Sequence, residues 1–315
     1  MTVDILTPSS REQWLELRRS TVGASEVACL LGAHPYLSAY KLWLTKTGAT
    51  ADVEESAPMR RGRMLEPFAA ERYLPDERPT WRITPNPIPG GRHWRDPVDG
   101  MSCTPDAIAV DPERAGFGVV QIKSVAPAVF SKQWKIDGGV VEPPIHVAIQ
   151  AIQEAVLTGA SWAAVAPLVI GWGIDMPIIE IPLHEGVIER IRSEVRAFWD
   201  RVRRNDPPES EYAKDGEAIA KVWAGGAPVI DLSSDNELPE IAAEDSMLKD
   251  RMAADKKRRD AIKAEILHKL GGAAGATFQG GRIIAKVVHR KAYLVDATSY
   301  NQITIKLDRI AADAA

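Results

Sequence analysis

The chain has 315 residues, 45% of them hydrophobic and 26% charged, with a formal net charge of −4, which predicts one large folded domain plus a smaller module. No run approaches about 18 apolar residues and the first residues lack the basic and apolar regions of a signal peptide, so we expect neither a membrane span nor a secretory leader. Two cysteines, Cys29 and Cys103, form no metal-binding cluster and fit a reducing, cytoplasmic location, and the slightly negative charge means that any nucleic-acid-binding surface must be local.

Hydrophobic periodicity predicts a run of helices followed by strands. The helices are expected at Ser10–Arg19, Ala24–Leu31, Ala39–Thr47 and Arg60–Leu74, and the strands at Trp81–Ile88, Met101–Val110 and Phe117–Val125. A helix at Ile145–Leu157, strands at Ala163–Ile170 and Met176–Leu183, and an amphipathic helix at Gly186–Arg204 follow. This order predicts an α/β fold in which a mixed sheet is flanked by helices.

The charge changes sign within the C-terminal third. Residues 207–246 carry ten acidic residues against two lysines, a net charge of −8, whereas residues 247–291 carry twelve Lys and Arg against four Asp and Glu, a net charge of +8. The acidic segment contains Pro207-Pro208 and Gly225-Gly226 and is typical of a linker. We therefore predict a core at 1–206, an acidic linker at 207–246 and a basic module at 247–315.

The basic module is predicted to be a helix followed by strands. The helical pattern runs from Glu237 to about Leu270 and ends at Gly271-Gly272, which is typical of a C-cap. Two segments after it, Thr277–Val288 and Ala292–Ile305, predict a β-hairpin or meander. The basic run at 256–259 in the helix is either a solvated face or a surface for nucleic acid, and the pattern alone leaves both readings open.

An acidic residue and an amide–apolar–lysine triplet lie on two successive predicted strands. Because side chains alternate between the faces of a strand, Gln121 and Lys123 point to one side and Ile122 to the other. If the two strands pair as a hairpin, Asp106 joins Gln121 and Lys123 at one point. A carboxylate and an amide oxygen can bind Mg²⁺ there, beside a lysine that orients an attacking water.

Several motifs in this order resemble those of the YqaJ-type viral recombinases, phage exonucleases related to bacteriophage lambda exonuclease within the PD-(D/E)XK nuclease superfamily. They are Trp14 to Val27, Gly62-Arg-Met-Leu-Glu66-Pro67, Asp96, Ser102-Cys-Thr-Pro-Asp106, Gln121-Ile-Lys123 and Gln150. The similarity covers about Arg11 to Gly173, and the basic helix with its hairpin also resembles the tail of many members. The resemblance implies a restriction-endonuclease-like core and an exonuclease that degrades one strand of linear double-stranded DNA from 5′ to 3′.

The resemblance also implies the metal site. Asp106 would be the main Mg²⁺ ligand, with Mn²⁺ as a substitute. Gln121 and the backbone carbonyl of Ile122 would complete the first coordination sphere, and Glu66 would reach the metal from its helix. Lys123 would orient or help to deprotonate the attacking water.

Further positions match the family's DNA contacts. Arg18 and Ser25 match residues that hold the terminal 5′ phosphate, which suits a guanidinium and a hydroxyl at a helix start. Asp96 and Gln150 match auxiliary positions near the metals. The simpler alternatives are a turn aspartate at 96, a surface amide at 150 and a helix cap at Ser25.

The family also implies partners. These are ends of double-stranded DNA, a single-strand annealing recombinase that uses the 3′ overhangs, and further copies of the chain in a ring-shaped trimer. The location implied is the cytoplasm of a bacterial host, with a phage or prophage origin. His34, His93 and His146 share no ligand spacing, so we expect no zinc site.

Gln121 departs from the family pattern, in which Glu is usual. The change keeps the shape of the side chain but removes a negative charge, so metal affinity should fall. This chain resembles Mrr-like and Holliday-junction nucleases in having Gln-x-Lys at this point, and those nucleases cut DNA. Three accounts follow: an active natural variant, which we favour, a catalytically weakened protein that binds DNA ends or acts as a scaffold, and an engineered inactive form. A structure-specific endonuclease is a further alternative.

Overall fold

The structure is a computed structural model that describes residues 2–51, 55–138, 140–225 and 227–289. The chain divides into two compact units, Met1–Ala224 and Gly225–Ala315. Among the described residues, no helix combines the length and the apolar character needed to cross a membrane.

Both units contain helices among their described residues. In chain order they are α1 (Arg11–Arg19), α2 (Ala39–Lys46), α3 (Ala57–Phe68), α4 (Leu74–Glu77), α5 (Pro127–Gln133), α6 (Ile145–Thr158), α7 (Glu185–Arg204), α8 (Tyr212–Val222) and α9 (Leu238–Leu270). A π-helical turn at Ala69–Tyr73 joins α3 to α4, and Pro67 lies inside α3, where its missing N–H leaves a carbonyl of the preceding turn without its usual donor. Glu66 therefore lies immediately before an irregular stretch of the helix.

The strands form two larger sheets and two short hairpins. In chain order they are β1 (Asp4–Leu6), β2 (Val22–Gly23), β3 (Arg82–Pro85), β4 (His93–Asp96), β5 (Met101–Cys103), β6 (Ala107–Val110), β7 (Gly118–Val125), β8 (Lys135–Asp137), β9 (Val140–Glu142), β10 (Trp162–Ile170), β11 (Ile174–Asp175), β12 (Ile179–Ile181), β13 (Gly275–Phe278) and β14 (Gly281–Ile284). One sheet has the order β1-β4-β5-β2, and the other has the order β11-β10-β7-β6-β3 with β12 also paired to β10. The hairpins are β8–β9 and β13–β14.

The larger sheet has the topology predicted for the core. β3, β6 and β7 are neighbours in antiparallel order, α6 then crosses over, and β10 returns parallel to β7. Helix α3 precedes these strands. This helix–three strands–helix–strand order is that of a restriction-endonuclease-like α/β core, so the predicted fold class is confirmed, and α9 with the β13–β14 hairpin supplies the predicted C-terminal module.

The register of β6 against β7 aligns the predicted site residues. Ala107 pairs with Val120 in antiparallel order, so Asp106, the residue before β6, lies opposite Gln121. The predicted strand Met101–Val110 is in fact two strands in different sheets, because Pro105 interrupts the ladder and turns the chain between them. The predicted hairpin therefore forms with β6 alone.

The two faces of this sheet bury different sets of side chains. Val120 and Ile122 pack toward the α3–α4 segment, whereas Val119 and Val125 pack in the core that contains α6. Because side chains alternate along β7, Gln121 and Lys123 point to the α6 face. Helix α6 therefore packs against the face of β7 that carries Gln121 and Lys123.

Several predicted elements differ from the structure. The predicted helix Ala24–Leu31 is a short 3₁₀ helix at Val27–Cys29, because the Gly23 N–H binds the Glu26 carboxylate and forms a turn there instead. Met176–Leu183 contributes only the three residues of β12. Thr277–Val288 is broken by the turn between β13 and β14, and Ala292–Ile305 lies outside the described residues.

The predicted acidic linker at 207–246 is partly helical. Helix α8 belongs to the first unit and α9 begins at Leu238, so the described residues of this segment without helix are 207–211, 223–225 and 227–237. Asp215 in α8 is fully buried and accepts hydrogen bonds from the Ser38 hydroxyl at 2.5 Å and from the Glu211 N–H at 2.7 Å. The Ser38 bond attaches α8 to the start of α2, which is why the core extends beyond the predicted boundary at 206.

Candidate active site

Asp106 is held by the strand opposite it. Its side chain is buried, and one carboxylate oxygen, Oδ2, accepts the backbone N–H of Ile122 at 2.6 Å as well as an amide proton of Gln121. A carboxylate fixed by a backbone donor keeps one orientation, which a metal ligand requires. The predicted convergence of Asp106 on Gln121 is thus present in the structure.

Glu66 lies near Asp106 and raises its pKa. Burial is the main cause of the raised pKa of Asp106, the negative charge of Glu66 adds to it, and Lys123 acts in the opposite direction. Burial likewise raises the pKa of Glu66, again opposed by Lys123. Both carboxylates line a cavity of about 10 Å³, on the order of one water molecule. A buried and a half-buried acid, whose negative charges are both disfavoured by burial, form a site beside a water-sized cavity that favours a cation.

The Gln121 side chain connects Asp106 to helix α6. Its amide nitrogen donates to Asp106 and to the backbone carbonyl of Ile122, the latter at 3.2 Å. Its amide oxygen accepts an N–H of Gln150 at 2.7 Å. The nitrogen therefore lies between the two oxygens that were predicted to bind metal.

Helix α6 supplies a second amide and a buried acid. Gln150 accepts a hydrogen bond from the Lys123 ammonium at 2.8 Å and donates to Glu154 Oε1 at 2.9 Å. Gln150 thus lies in the site and not on the helix surface. Glu154 was not predicted from the sequence, where it follows Gln153 in a helical run and is typical of a surface residue. It is fully buried, and its second carboxylate oxygen has no hydrogen-bond partner among the described residues.

The surroundings of Glu154 raise its pKa. Burial is the main cause, Glu66 adds to it, and the Gln150 hydrogen bond and Lys123 act in the opposite direction, giving a pKa of about 7. Together these residues form one continuous chain of hydrogen bonds, which we call the amide chain: Glu154, Gln150, Gln121 and Asp106.

The donor set fits a hard divalent cation. Asp106 and Glu66 offer carboxylates, and Ile122 offers a backbone carbonyl. Gln121 can offer its amide oxygen if the amide group rotates by about 180°. Within the described residues no cluster of three or more His, Cys, Asp and Glu is arranged to hold a metal, so these carboxylates do not form a larger acidic cage. Mg²⁺ typically keeps several waters and uses one or two protein carboxylates, which matches this set.

The predicted phosphate-binding residues lie together. Arg18 donates to the Ser25 hydroxyl at 3.2 Å and to Glu26 at 3.0 Å, and its guanidinium stacks 4.7 Å from the centre of the Trp14 ring. Ser25 lies in a turn before the short 3₁₀ helix, so it is not the first residue of a regular helix as predicted. Of these two residues, Arg18 is therefore the better placed to bind an anion.

Glu26 and Lys46 belong to the same cluster and were not predicted. Lys46 donates to Glu26 at 2.9 Å and to the backbone carbonyl of Arg18 at the same distance. Burial acts to raise the pKa of Glu26, but the charges of Arg18 and Lys46 outweigh it and the pKa is lowered. Glu26 followed Ser25 directly in the sequence motif, which was the signal available for it.

Arg18, Ser25, Glu26 and Lys46 form a group that we call the Arg18 cluster. This cluster and the amide chain are neighbours. Trp14, on which Arg18 stacks, donates its ring N–H to the Thr104 hydroxyl at 3.1 Å, and Thr104 is two residues before Asp106. The charges of both Glu26 and Lys123 also influence the pKa of His34. The predicted anion anchor and the predicted metal site are therefore adjacent.

His34 and His146 are brought together by the fold although their sequence spacing did not predict it. Their rings are 5.5 Å apart, and His34 Nδ1 accepts the backbone N–H of Leu37 at 2.8 Å. Burial lowers the pKa of His34 to about 4, with contributions from His146 and Lys123. His34 is therefore neutral at physiological pH and carries its proton on Nε2.

Asp96 does not join the site. Its carboxylate accepts the backbone N–H groups of Val98 at 2.9 Å and Asp99 at 3.1 Å, the geometry of a turn. Asp96 pairs with Met101 at one end of β5, whereas Asp106 follows the other end. The simpler reading of Asp96 as a turn residue fits this position, and its predicted auxiliary role has no support from these contacts.

Residues 13–161 match the family model described as the YqaJ-like viral recombinase domain. The uncharacterised protein YqaJ of Bacillus subtilis (strain 168) is 34% identical over 65 residues, so the chain spans about 20% of the length of this curated relative, and the match covers 20% of this chain. Among solved structures, the alkaline exonuclease LHK-Exo from Laribacter hongkongensis is 21% identical, with 66% of this chain and 98% of that chain covered and a TM-score of 0.46. A putative exonuclease from Eubacterium rectale is 12% identical, with 70% and 95% covered and a TM-score of 0.40.

Proposed function

On the premise that residues 13–161 form a YqaJ-like viral recombinase domain, we propose that the protein is a metal-dependent exonuclease that degrades one strand of linear double-stranded DNA. The observation that carries this proposal is the convergence of Asp106, Gln121 and Lys123 beside the Arg18 cluster. A polarity from 5′ to 3′, which leaves 3′ overhangs for phage-type recombination, is part of the same proposal.

Four groups would hold Mg²⁺, or Mn²⁺ in its place. They are the carboxylates of Asp106 and Glu66, the backbone carbonyl of Ile122 and the amide oxygen of Gln121. A divalent ion at this position supplies Lewis-acid stabilisation of the charge that develops on the scissile phosphate. Because Asp106 is fixed by the Ile122 N–H, the site needs little rearrangement of the backbone.

Lys123 would orient the attacking water. Its ammonium lies on the α6 face of β7, where Gln150 holds it at 2.8 Å. An ammonium in this position stabilises negative charge on an incoming hydroxide and leaves the carboxylates free for the metal. The charge of Lys123 also lowers the pKa of Asp106 and Glu66 against the effect of burial, which favours their ionised, metal-binding forms.

The Arg18 cluster would hold the terminal 5′ phosphate. A guanidinium binds a phosphate through two parallel N–H groups, and Ser25 adds a hydroxyl. Glu26 is the counter-ion that Arg18 holds when no DNA is bound, at 3.0 Å. A phosphate must displace or share this contact, so we expect end binding to be selective for a strongly charged terminal phosphate over an internal one.

The second candidate is a catalytically weakened protein that binds DNA ends or acts as a scaffold. The position of the Gln121 amide nitrogen between Asp106 and the Ile122 carbonyl favours it, because an N–H₂ group there competes with a cation. Both candidates use the Arg18 cluster for the DNA end, so only metal-dependent chemistry separates them.

The partners follow from the proposed activity. Ends of double-stranded DNA are the substrate, and a single-strand annealing recombinase would take up the 3′ overhangs. The proposal also includes a ring-shaped trimer around the duplex. It places the protein in the cytoplasm of a bacterial host, with a phage or prophage origin.

The test is digestion of end-labelled linear duplex in Mg²⁺ and in EDTA, beside a closed circular control. Loss of linear DNA alone, only in Mg²⁺, is expected, and Lys123→Met should abolish it while Lys132→Met, a lysine on α5, should not. Binding to ends with no digestion in any condition would favour the second candidate. Cutting of the closed circle would contradict the exonuclease.

The phosphate anchor has its own arm of the same experiment. Digestion is expected to be faster with a 5′ phosphate than with a 5′ hydroxyl, and Arg18→Ala should remove that difference. Arg19→Ala is the matched control, because the neighbouring arginine pairs with Glu16 on the exposed side of α1. Equal loss of the preference in both variants would count against Arg18 as the anchor.

A further inference from the structure

The amide chain has a direction, which Glu154 at its buried end imposes together with the Lys123 ammonium on the Gln150 oxygen. An ionised carboxylate can only accept hydrogen bonds, so Glu154 requires Gln150 to present its N–H₂ group, at 2.9 Å. The same nitrogen of Gln150 donates to the Gln121 oxygen at 2.7 Å, which leaves the Gln121 nitrogen to face Asp106. The orientation of Gln121 is thus set by a residue two hydrogen bonds away.

We propose that Glu154 is a positioning residue that sets the orientation of the Gln150 amide and, through it, which atom position 121 presents to the metal site. This inference rests on the proposed metal-dependent function. In the orientation that Glu154 imposes, Gln121 offers nitrogen to the site, and a cation requires oxygen. Glu154 therefore works against metal binding while residue 121 is Gln.

The same orientation suits a glutamate at position 121. A carboxylate there would accept the Gln150 N–H as the Gln121 oxygen does now, and its other oxygen would face the site. Gln150 would then donate to two carboxylates while Lys123 donates to its oxygen at 2.8 Å. Glu154 consequently has opposite effects on metal binding with Gln and with Glu at position 121.

No other role is evident for Glu154 among the described residues. It is buried with 1% of its surface exposed, it has no ion pair, and its Oε2 atom has no hydrogen-bond partner. A buried carboxylate without a cation next to it is unfavourable for stability. Its one side-chain hydrogen bond is to Gln150, which is the contact that the proposal uses.

The experiment measures Mn²⁺ binding to the full chain without DNA, by electron paramagnetic resonance at pH 8. Four proteins are compared: position 121 is Gln or Glu, and position 154 is Glu or Gln in each case. With Gln121, the Glu154→Gln amide can donate to the Gln150 oxygen in place of Lys123, whose flexible side chain then turns away, and the chain can reverse. Mn²⁺ should then bind about tenfold more tightly, as for other outer partners of metal ligands. With Gln121→Glu, the same substitution should weaken binding, because Gln150 must still donate to residue 121 and one negative charge is lost.

A control separates hydrogen bonding from charge. Glu154→Met removes the same negative charge but cannot donate to Gln150, so it should not tighten Mn²⁺ binding in either background. Tighter binding with Glu154→Met as well would show that charge and burial, and not the direction of the amide chain, govern the site. An effect of Glu154→Gln with the same sign in both backgrounds would overturn the proposal.

A metal-free measurement keeps the two proposals apart. Unfolding of the four proteins in EDTA should show non-additive effects of the two substitutions, because residues 121 and 154 share Gln150. If none of the proteins binds Mn²⁺, the proposed metal-dependent function fails, and additive effects in EDTA would then overturn the role of Glu154 as well.

Discussion

The amide of Gln121 fills the space in which a cation would meet Asp106. Its nitrogen donates to the carboxylate of Asp106 and to the Ile122 carbonyl, so a metal must displace a hydrogen-bonded N–H₂ group. Gln121→Glu removes this donor and adds a negative charge. We expect metal affinity to rise by about 10–100-fold and digestion at limiting Mg²⁺ to rise with it.

The measurement is the Mg²⁺ dependence of the digestion rate for the two proteins. Saturating Mg²⁺ should bring their rates closer together, because the substitution acts mainly on metal binding. A Gln121→Glu protein with an unchanged half-saturating Mg²⁺ concentration would show that the amide does not obstruct the metal.

Glu154 should make the stability of the first unit depend on pH. Its folded pKa of about 7 is raised above the ordinary value of 4.5, so the folded state binds this proton more tightly than the unfolded state. The contribution to stability is complete below pH 4.5 and is lost as the pH rises to 7 and above, on the order of 3 kcal/mol in all. Glu154→Gln should therefore flatten the decrease in unfolding free energy between pH 5 and pH 8.

Tryptophan fluorescence during urea unfolding gives this free energy for the first unit alone, because all nine tryptophans precede residue 225. An equally steep decrease in the Glu154→Gln protein would mean that another group titrates. Asp106 and Glu66 also have raised pKa values and remain in both proteins, but Glu154 helps to raise the pKa of Asp106, so the contribution of Asp106 cancels only in part.

Some of these residues could be predicted from the sequence and some could not. Asp106, Gln121 and Lys123 were predictable because strand alternation and one hairpin bring them together over 18 residues. Glu26 and Glu154 were not, since the charged partners of Glu26 come from α1 and α2, the burial of Glu154 depends on the packing of α6, and a glutamate in a helical or turn pattern is most often solvated. The sequence shows the charge of such a residue but not its burial.

At the scale of elements, α8 is attached to the core by one buried carboxylate. Asp215 accepts the Ser38 hydroxyl and the Glu211 N–H, and none of its surface is exposed. Asp215→Ala would leave Ser38 without this partner and is expected to lower the unfolding free energy by about 1.5–3 kcal/mol, the typical range for a buried hydrogen bond to a carboxylate.

Glu217→Ala on the same helix is the control. Glu217 forms an exposed pair with Lys221, so its removal should cause no measurable change. The readout is again urea unfolding followed by tryptophan fluorescence. If both variants are equally stable, α8 is not part of the folded core and the predicted boundary at 206 regains its support.

Element boundaries were predicted less well than element types, for identifiable reasons. Pro105 divides a strand that the apolar pattern presents as continuous, since proline cannot donate to the ladder. The acidic composition of 207–246 conceals α8, because Asp215 counts as one more surface charge until Ser38 is placed beside it. Helix α6 and strand β7, whose apolar pattern is long and regular, were predicted nearly to the residue.

At the scale of the whole molecule, an excess of positive charge is concentrated in residues 247–291. Helix α9 has no buried residue, and the lysines that form ion pairs along it are Lys249, Lys263 and Lys269. The run at 256–259 has no ion pair within 4 Å among the described residues. We predict that this run, and not the paired lysines, contacts DNA phosphates.

The test is the salt dependence of binding to linear duplex. Replacing all four residues of 256–259 by Gln should weaken binding and reduce the slope of log affinity against log salt by up to about four, one for each lost phosphate contact. Replacing Lys249, Lys263 and Lys269 by Gln should change the slope much less. Equal changes in the two sets would mean that the helix acts only through its total charge.

The hydrogen bond from Gln150 to the oxygen of residue 121 has a consequence for how this site can evolve. Codons for glutamine and glutamate differ only in their first base, and Gln150 already donates to the atom that a glutamate oxygen would replace. A carboxylate at position 121 is therefore one point mutation away and needs no compensating change in α6. Selection for a stronger or a weaker metal site can act on this chain through a single nucleotide.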